Sequence, residues 1–523
     1  MNYLQKKKLA FMSIVNRVKG FLRTITGTLP LTLEGSVDEE SIIDYTLYGQ
    51  SVQNGTPTPE TPVEVESVGE RTKNLFDINN TSNWVQKDGA YAYYPIYVGA
   101  NKTVIASWDG DLTGGQGFYL CIGNSNSTRG NGNGHNWLYH STAEYLRAKN
   151  TKVTADENGY IYINMIALNL KKLKTLQIEY GSVATEFEPY GYKIPVKVCG
   201  SNLTNPKAWI CCSHQNGINS PINNQKYMTS VDDNYIEATI PIWQGICSEK
   251  FDASQISTIG IKININQVVD EYVTYYFGIQ YYDESNNKLS FKQLNSSMVA
   301  DRKYVFKIGE HFINPDNAKY ARICVLSRAK EISLKIYDFY ITKETNTLYE
   351  KYHAPITTNI YIDEPLRKIG NYADCIDFEN SKIIRKIKCI ELKKATDKYP
   401  YTGKNGAYFA DILDGKYSRN QKALFNRNMN WFIGNSNEMW IGVDKTYLYW
   451  IGILDYLGFT TITELNEWLY DNPTYVFYAS NSPSETPITL PKIPSFKGTT
   501  ILSAETTIQP NNIEITYYSI LKE

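Results

Sequence analysis

Histidine is scarce in this chain, five residues in 523, which leaves few candidates for a catalytic base. No His-Glu-x-x-His, Gly-x-Ser-x-Gly, phosphate loop or Gly-x-Gly-x-x-Gly after a strand occurs, so zincin, serine-hydrolase and nucleotide chemistry find no support. Glycan hydrolysis through two carboxylates stays open, because it leaves no local motif. Nothing calls for a cofactor. A formal net charge of −1 lacks the basic footprint of a nucleic-acid binder. The eight cysteines make no framework. Cys121, Cys199, Cys247, Cys324, Cys375 and Cys389 are scattered, Cys211 and Cys212 are adjacent, and no Cys-x-x-Cys occurs. Zinc and thioredoxin-type redox are unsupported, and assembly in a reducing cytoplasm fits best.

What the chain does have is a sentence said twice. Leu176 to Tyr190 closes on Thr185-Glu-Phe-Glu-Pro-Tyr190, and Leu334 to Tyr352 closes on Thr347-Leu-Tyr-Glu-Lys-Tyr352. Setting Phe187 on Tyr349 brings Glu188 to Glu350, Tyr190 to Tyr352 and Ile178 to Tyr340. Alternating residues then resume in both copies, Ile194-Val196-Val198 and Ile356-Ile360-Ile362. The openings match too, Lys73-Asn-Leu-Phe76 and Ser201-Asn-Leu-Thr204, so the repeat is domain-sized rather than a solenoid turn. Both aromatics, Phe187 and Tyr349, are expected to be buried near their module's exit.

Residues 1–28 read as the only long helix. Leu4, Phe11, Val15, Val18, Leu22 and Ile25 follow a heptad seam, interrupted by Lys8 and weakened by Gly20. A parallel homotrimer joined at this helix is the expectation. Its rivals are a signal peptide, which lacks a small-residue cleavage site after Val15, and a basic membrane-surface helix. The apolar stretch is too short to cross a bilayer. Residues 29–70 read as a β and proline-rich connector, with Pro57, Pro59 and Pro62 fixing an extended path. Module 1 follows over 71–199 and module 2 over 200–366, each an antiparallel jelly-roll sandwich. A C-terminal β-rich domain over 367–523 carries one short helix, starting at the capping box Thr461-Ile-Thr-Glu464 with Leu465, Trp468 and Leu469 on one face. The fold class expected is mainly β.

Leu47-Tyr-Gly-Gln-Ser-Val-Gln-Asn-Gly-Thr-Pro-Thr-Pro59 and Lys73-Asn-Leu-Phe76 resemble the opening of tail-fibre, baseplate and minor structural proteins of phages that infect Firmicutes. Gln177 to Gly191 resembles the end of their jelly-roll, carbohydrate-binding-like modules. Glu364 to Glu379, Asn472-Pro-Thr-Tyr-Val-Phe-Tyr478 and Ile493-Pro-Ser-Phe-Lys-Gly-Thr-Thr500 resemble their last domain. The resemblance implies a virion protein assembled in the bacterial host cytoplasm, with other virion proteins as partners. It does not name the part. Attachment to a host cell-surface polysaccharide is one implication; a pure scaffold, or a head-fibre or decoration protein without glycan binding, is the other.

Candidate sites are few. Gly123 to His140 reads as a glycine and asparagine loop ending on aromatics. Trp137 and Tyr139 suit sugar stacking, with Asn133, Asn136 and His140 as hydrogen-bonding groups. The competing reading packs this loop against a neighbouring subunit, or Trp137 into the core. Asp109-Gly-Asp111 offers oxygen ligands for Ca2+, but Asp-Gly is also the preferred hairpin turn pair, and the turn reading is favoured. Cys211, Cys212 and His214 lack a distant fourth ligand and read as a loop beside Asn216-Gly217. Trp431, Trp440, Trp450 and Trp468 in the last domain read as core, and an exposed one would mark a sugar platform. The 42 tyrosines fit either exposed contact surface or the codon bias of an A- and T-rich genome.

Overall fold

The computed structural model describes residues 32–35, 46–88, 91–110, 119–126, 135–140, 151–166, 173–215, 218–222, 224–265, 275–295, 302–328, 331–343, 349–401, 404–409, 423–426, 440–444, 447–491, 499–504 and 514–519. The heptad residues Leu4, Phe11, Val15, Val18, Leu22 and Ile25 therefore lie outside the described residues, as do Asn133 and Asp111. The fold is mainly β, as the alternating patterns require.

The strands that follow the two closing segments are partners of each other. Tyr192–Gly200 pairs antiparallel with Ile356–Ile362, in the register Tyr192↔Ile362, Ile194↔Ile360 and Val198↔Ile356. On its other edge it pairs with Thr499–Ala504. Ile194, Val196 and Val198 point inward, joining Leu47, Val68, Ile360, Ile376, Phe378 and Ile383 in one core. This core corrects the expected boundaries. The 29–70 connector and the 367–523 domain are not separate units: Thr46–Tyr48 pairs with Cys375–Asp377, and Val68 bridges Leu366. Val63 N donates to Asn426 O at 2.7 Å, and the Tyr456 hydroxyl donates to Glu60 at 3.1 Å. Residues 192–200 likewise belong to this central sheet rather than to module 1. The two modules are insertions into a central domain assembled from distant stretches of chain. Short strands with few apolar residues hid this, since each carries only one or two buried side chains.

Asp374 sits where those stretches meet, with its side chain fully buried. Its carboxylate accepts from Arg367 N at 3.0 Å, Lys386 N at 2.6 Å and Ile387 N at 2.8 Å. Arg385 lies 3.7 Å away, and the Asp374 carbonyl accepts from Gly49 N at 2.7 Å. Gly49 has to be glycine here, because a Cβ would stand 2.6 Å from the Leu366 carbonyl carbon.

Over the described residues, module 1 is a sandwich of a five-stranded and a three-stranded antiparallel sheet. The larger runs His135–His140, Tyr119–Gly123, Tyr160–Ile166, Tyr91–Tyr97, Val85–Asp88; the smaller runs Thr151–Thr154, Thr103–Gly110, Leu173–Tyr180. Tyr94, Ile96, Leu120, Ile122, Ile161 and Ile163 of one sheet meet Val104, Trp108, Leu176 and Ile178 of the other. Module 2 repeats both orders. Its first sheet runs Lys288–Asn295, Tyr275–Tyr282, Tyr320–Ser327, Gln244–Cys247, Ile210–Gln215, extended by Ile218–Pro221 at that edge and by Phe251–Asp252 beside Tyr320–Ser327, and its second runs Lys303–Lys307, Thr258–Ile265, Ile332–Thr342. The second sheet gains a hairpin, Met228–Val231 with Tyr235–Ile240, on the free edge of Ile332–Thr342.

The repeated residues close each module by the same bonds. Asn74 Oδ1 accepts from Phe76 N and Ile178 N, and its amide donates to Leu176 O. Asn202 Oδ1 accepts from Thr204 N and Ile341 N, and its amide donates to Phe339 O and Glu350 O. Ile178 thus corresponds to Ile341, one residue from the Tyr340 that the sequence alignment chose. Glu188 and Glu350 do correspond, accepting from Lys73 N and from the Ser201 hydroxyl. The aromatics behave otherwise than expected: Phe187 is 43% exposed and Tyr349 half-buried. In module 1 it is Glu188 that is buried, and in both modules the glutamate's bond to the opening strand holds the exit shut; Glu350 is half-buried.

That arrangement has a pH signature. Burial pushes the Glu188 carboxyl up, but hydrogen bonds from Lys193 Nζ at 2.7 Å and Lys73 N outweigh it and hold it below the ordinary glutamate range. Glu179 is lowered in the same way, burial being outweighed by Thr185 and Gln177. A depressed carboxylate lends stability above its unfolded pKa, and loses it as pH falls through the folded value. Module 1 is expected to loosen as pH falls below about 4. Glu188→Gln should flatten that acid limb in a pH series of melting curves; an unchanged limb overturns the assignment.

The expected helix is present as Ile462–Asp471, with both capping-box bonds between Thr461 and Glu464 and with Leu465 and Leu469 buried. A second helix, Ile453–Leu457, was too short to show a period; Gly452 and Gly458 bracket it in left-handed backbone. A hairpin turns at Glu379-Asn-Ser-Lys382, held by Asp377 accepting from Asn380 N at 3.0 Å.

Candidate functional site

The strand Tyr91–Tyr97 alternates strictly. Ala92, Tyr94 and Ile96 enter the core, leaving Tyr93 half-buried and Tyr97 66% exposed on the opposite face. Its neighbour Tyr160–Ile166 does the same, burying Ile161, Ile163 and Met165 and turning Tyr160 and Tyr162 out. The register Tyr160↔Tyr97 and Asn164↔Tyr93 brings these outward residues together. Tyr97 meets Tyr160 at 5.3 Å between ring centroids, Tyr93 meets Tyr162 at 5.8 Å, and Tyr160 meets Tyr162 at 6.3 Å. Four rings therefore form a continuous band across the outer face of the larger sheet. Gly159, at φ +87°, makes room for it: a Cβ there would lie 2.6 Å from Tyr97 Cε2.

Polar groups frame the band. Asp156 accepts from Tyr160 N at 2.8 Å and from the Tyr162 hydroxyl at 3.4 Å. Burial, reinforced by that carboxylate, raises the Tyr162 phenol, so it stays a protonated donor. Asn164 is buried; its amide donates to Ser125 O at 3.2 Å, while its Oδ1 finds no donor among the described residues. Aromatic faces beside fixed donors and acceptors suit a pyranose ring, which has an apolar face and a rim of hydroxyls.

The predicted residues that are described lie on the same sheet as this band, two strands from Tyr160–Ile166, differently from expectation. Asn136, Trp137, Tyr139 and His140 are not on a loop but on the edge strand His135–His140, which carries a bulge between Trp137 and Tyr139. Alternation is masked there by Asn, Gly and that bulge. Trp137 is in register with Cys121, Cys121 with Asn164, and Asn164 with Tyr93, so one row of residues runs from the predicted strand to the tyrosines. Asp109 ends no turn: the strand Thr103–Gly110 runs through it, with Asp109 opposite Thr175. Among the described residues no group of His, Cys, Asp or Glu is arranged to hold a metal ion. His214 lies on the strand Ile210–Gln215 opposite Asn219, rather than in a loop.

Trp450 is fully buried and so is no platform, and Trp468 is half-buried with its ring centroid 6.4 Å from that of Trp450. Trp431 and the side chain of Trp440 lie outside the described residues. Trp243 was not anticipated. It is 43% exposed, adopts φ 59°, and lies 5.9 Å from the Arg328 guanidinium, which also covers Tyr276 at 5.3 Å. The tyrosine band was readable in principle, since Tyr93 and Tyr97 take the odd positions of a strand whose even positions are apolar.

No protein-family model matches this chain, and no curated protein matches it. The matching face of module 2 has other chemistry. By the same register, Cys247 stands where Tyr93 does, Arg322 where Tyr162 does and Cys324 where Asn164 does. Two modules of one topology thus present one wet aromatic face and one buried thiol face.

Proposed function

We propose that this protein is a phage virion component of the tail, a fibre, baseplate or minor tail protein whose two sandwiches are jelly-roll modules. In this reading the first module contributes to attachment at a host cell-surface polysaccharide. The observation that supports it is the outward band Tyr97–Tyr160–Tyr162–Tyr93 with Asp156 at its side. Four adjoining tyrosines on a face outside the module's own core supply rigid, amphipathic contact area. The reading assigns no chemistry to the site, which binds without turnover. Assembly as a homotrimer through residues 1–28 would supply avidity to individually weak contacts.

The test uses the full-length protein and cell-wall polysaccharide preparations from Firmicutes. Tyr97→Ala combined with Tyr160→Ala should weaken retention about tenfold, two stacking contacts being worth roughly 0.5–1.5 kcal/mol each. Melting temperature should hold, because both rings lie outside the core. Trp137→Ala separates the edge strand from the band. Retention unaffected by all three substitutions removes glycan attachment and leaves the scaffold.

A further inference from the structure

Three cysteines distant in sequence meet on the outer face of module 2. Cys212, Cys247 and Cys324 come from neighbouring strands, are all but fully buried, and pack into one cluster with Leu326. Cys247 and Cys324 are direct cross-strand partners. One step further on, Ser248 N donates to Ile323 O at 2.9 Å. In an antiparallel ladder that makes the Cys247–Cys324 couple a non-hydrogen-bonded pair, with Cα atoms only about 4.5 Å apart. This is the ladder position at which side chains come closest, and it falls inside the range that a disulfide spans. Cys212 reaches the pair across Gly245: a Cβ on that glycine would lie 3.0 Å from Cys212 Sγ and 2.4 Å from Leu326 Cδ2.

We propose that Cys247 and Cys324 form an oxidation site, closing a cross-strand disulfide when a small hydroperoxide reaches them. Cys247 is the nucleophile. The neighbouring Cys212 and Cys324 thiols and the Arg322 cation favour its thiolate over the cost of burial, so its thiol is held well below the usual range. Burial holds Cys324 up, as the protonated partner. The Cys247 thiolate attacks one peroxide oxygen; the O–O bond breaks, a sulfenic acid forms and hydroxide leaves. Cys324 sulfur then displaces the sulfenic oxygen, which leaves as water with the Cys324 proton. Two electrons pass from the two sulfurs to the peroxide. With sulfurs this buried, a bulky disulfide oxidant has no approach, which selects the small, uncharged class. Cys212, opposite Gly245 and so set diagonally to the pair, stays reduced.

The product would staple Gln244–Cys247 to Tyr320–Ser327 across a long loop, so oxidised protein should unfold at a higher temperature than reduced protein. The decisive experiment exposes the folded full-length protein to hydrogen peroxide, unfolds it, alkylates the remaining thiols and maps the peptides. A Cys247–Cys324 linkage is expected in wild type and in Cys212→Ser, and its loss in Cys247→Ser. Recovery of Cys247 and Cys324 as alkylated thiols overturns the proposal. So does a Cys212–Cys247 bond in their place, or a Cys247 sulfinic acid with no bond. The wild-type map decides even if a variant fails to fold.

Discussion

Asp374→Ala is expected to cost more than about 4 kcal/mol. The carboxylate is fully buried and satisfies three backbone N–H groups on two separate stretches, Arg367 on one side and Lys386 and Ile387 on the other. Removing it strands those donors and leaves Arg385, already bonded to Pro365 O and Asp363, with one counter-charge fewer. Because Gly49 hangs from the same residue, the N-terminal strand should detach together with the 367–391 hairpin. Denaturant unfolding followed by hydrogen exchange reads both. The modules, each with its own core, should retain protection while the central sheet loses it. Loss of less than about 1 kcal/mol would mean that the central domain is not one cooperative unit.

The second large effect belongs to the asparagines that close the modules. Asn202→Ala removes four bonds at a buried site, to Thr204 N, Ile341 N, Phe339 O and Glu350 O, and should cost about 3 kcal/mol or more. Asn74→Ala removes three of the same kind and should cost slightly less. Each loss should be confined to its own module, so the double variant should be additive. Asp at either position is a sharper probe: it keeps the two acceptor bonds but loses the donor amide, and puts a charge against backbone carbonyls. Strong coupling between the two sites would contradict the independence of the modules.

The duplication was legible because it is carried by a side chain with a geometric task. An asparagine that must bridge two strands recurs as Lys73-Asn-Leu and Ser201-Asn-Leu, and the glutamate that holds the exit recurs beside it. The helix at 462–471 was legible through its cap. The central domain was not, because its strands are two to four residues long at the N-terminal end, and Thr46–Tyr48 and Glu70–Arg71 pair with the far-off Cys375–Asp377 and Tyr192–Gly200; no local pattern encodes a distant partner. At the candidate site, the sequence drew attention to Trp137 and its neighbours by composition. The tyrosines two strands away needed the registers Asn164↔Cys121 and Asn164↔Tyr93 to be seen as neighbours. The thiol pair needed a cross-strand register in the same way.

Insertion of both modules between parts of one domain sets a schedule for synthesis. Strand Thr46–Tyr48 leaves the ribosome roughly 330 residues before its partner Cys375–Asp377. At about 5–20 residues per second that is a wait of roughly 15–65 s, during which its backbone edge is open to wrong partners. Each sandwich, by contrast, is closed by strands of its own stretch and can complete itself as it emerges. The nascent chain therefore carries two finished weights on an unfinished frame. The frame's early strand, only three residues long and followed by Pro57, Pro59 and Pro62, offers little for a neighbouring nascent chain to zip onto while it waits.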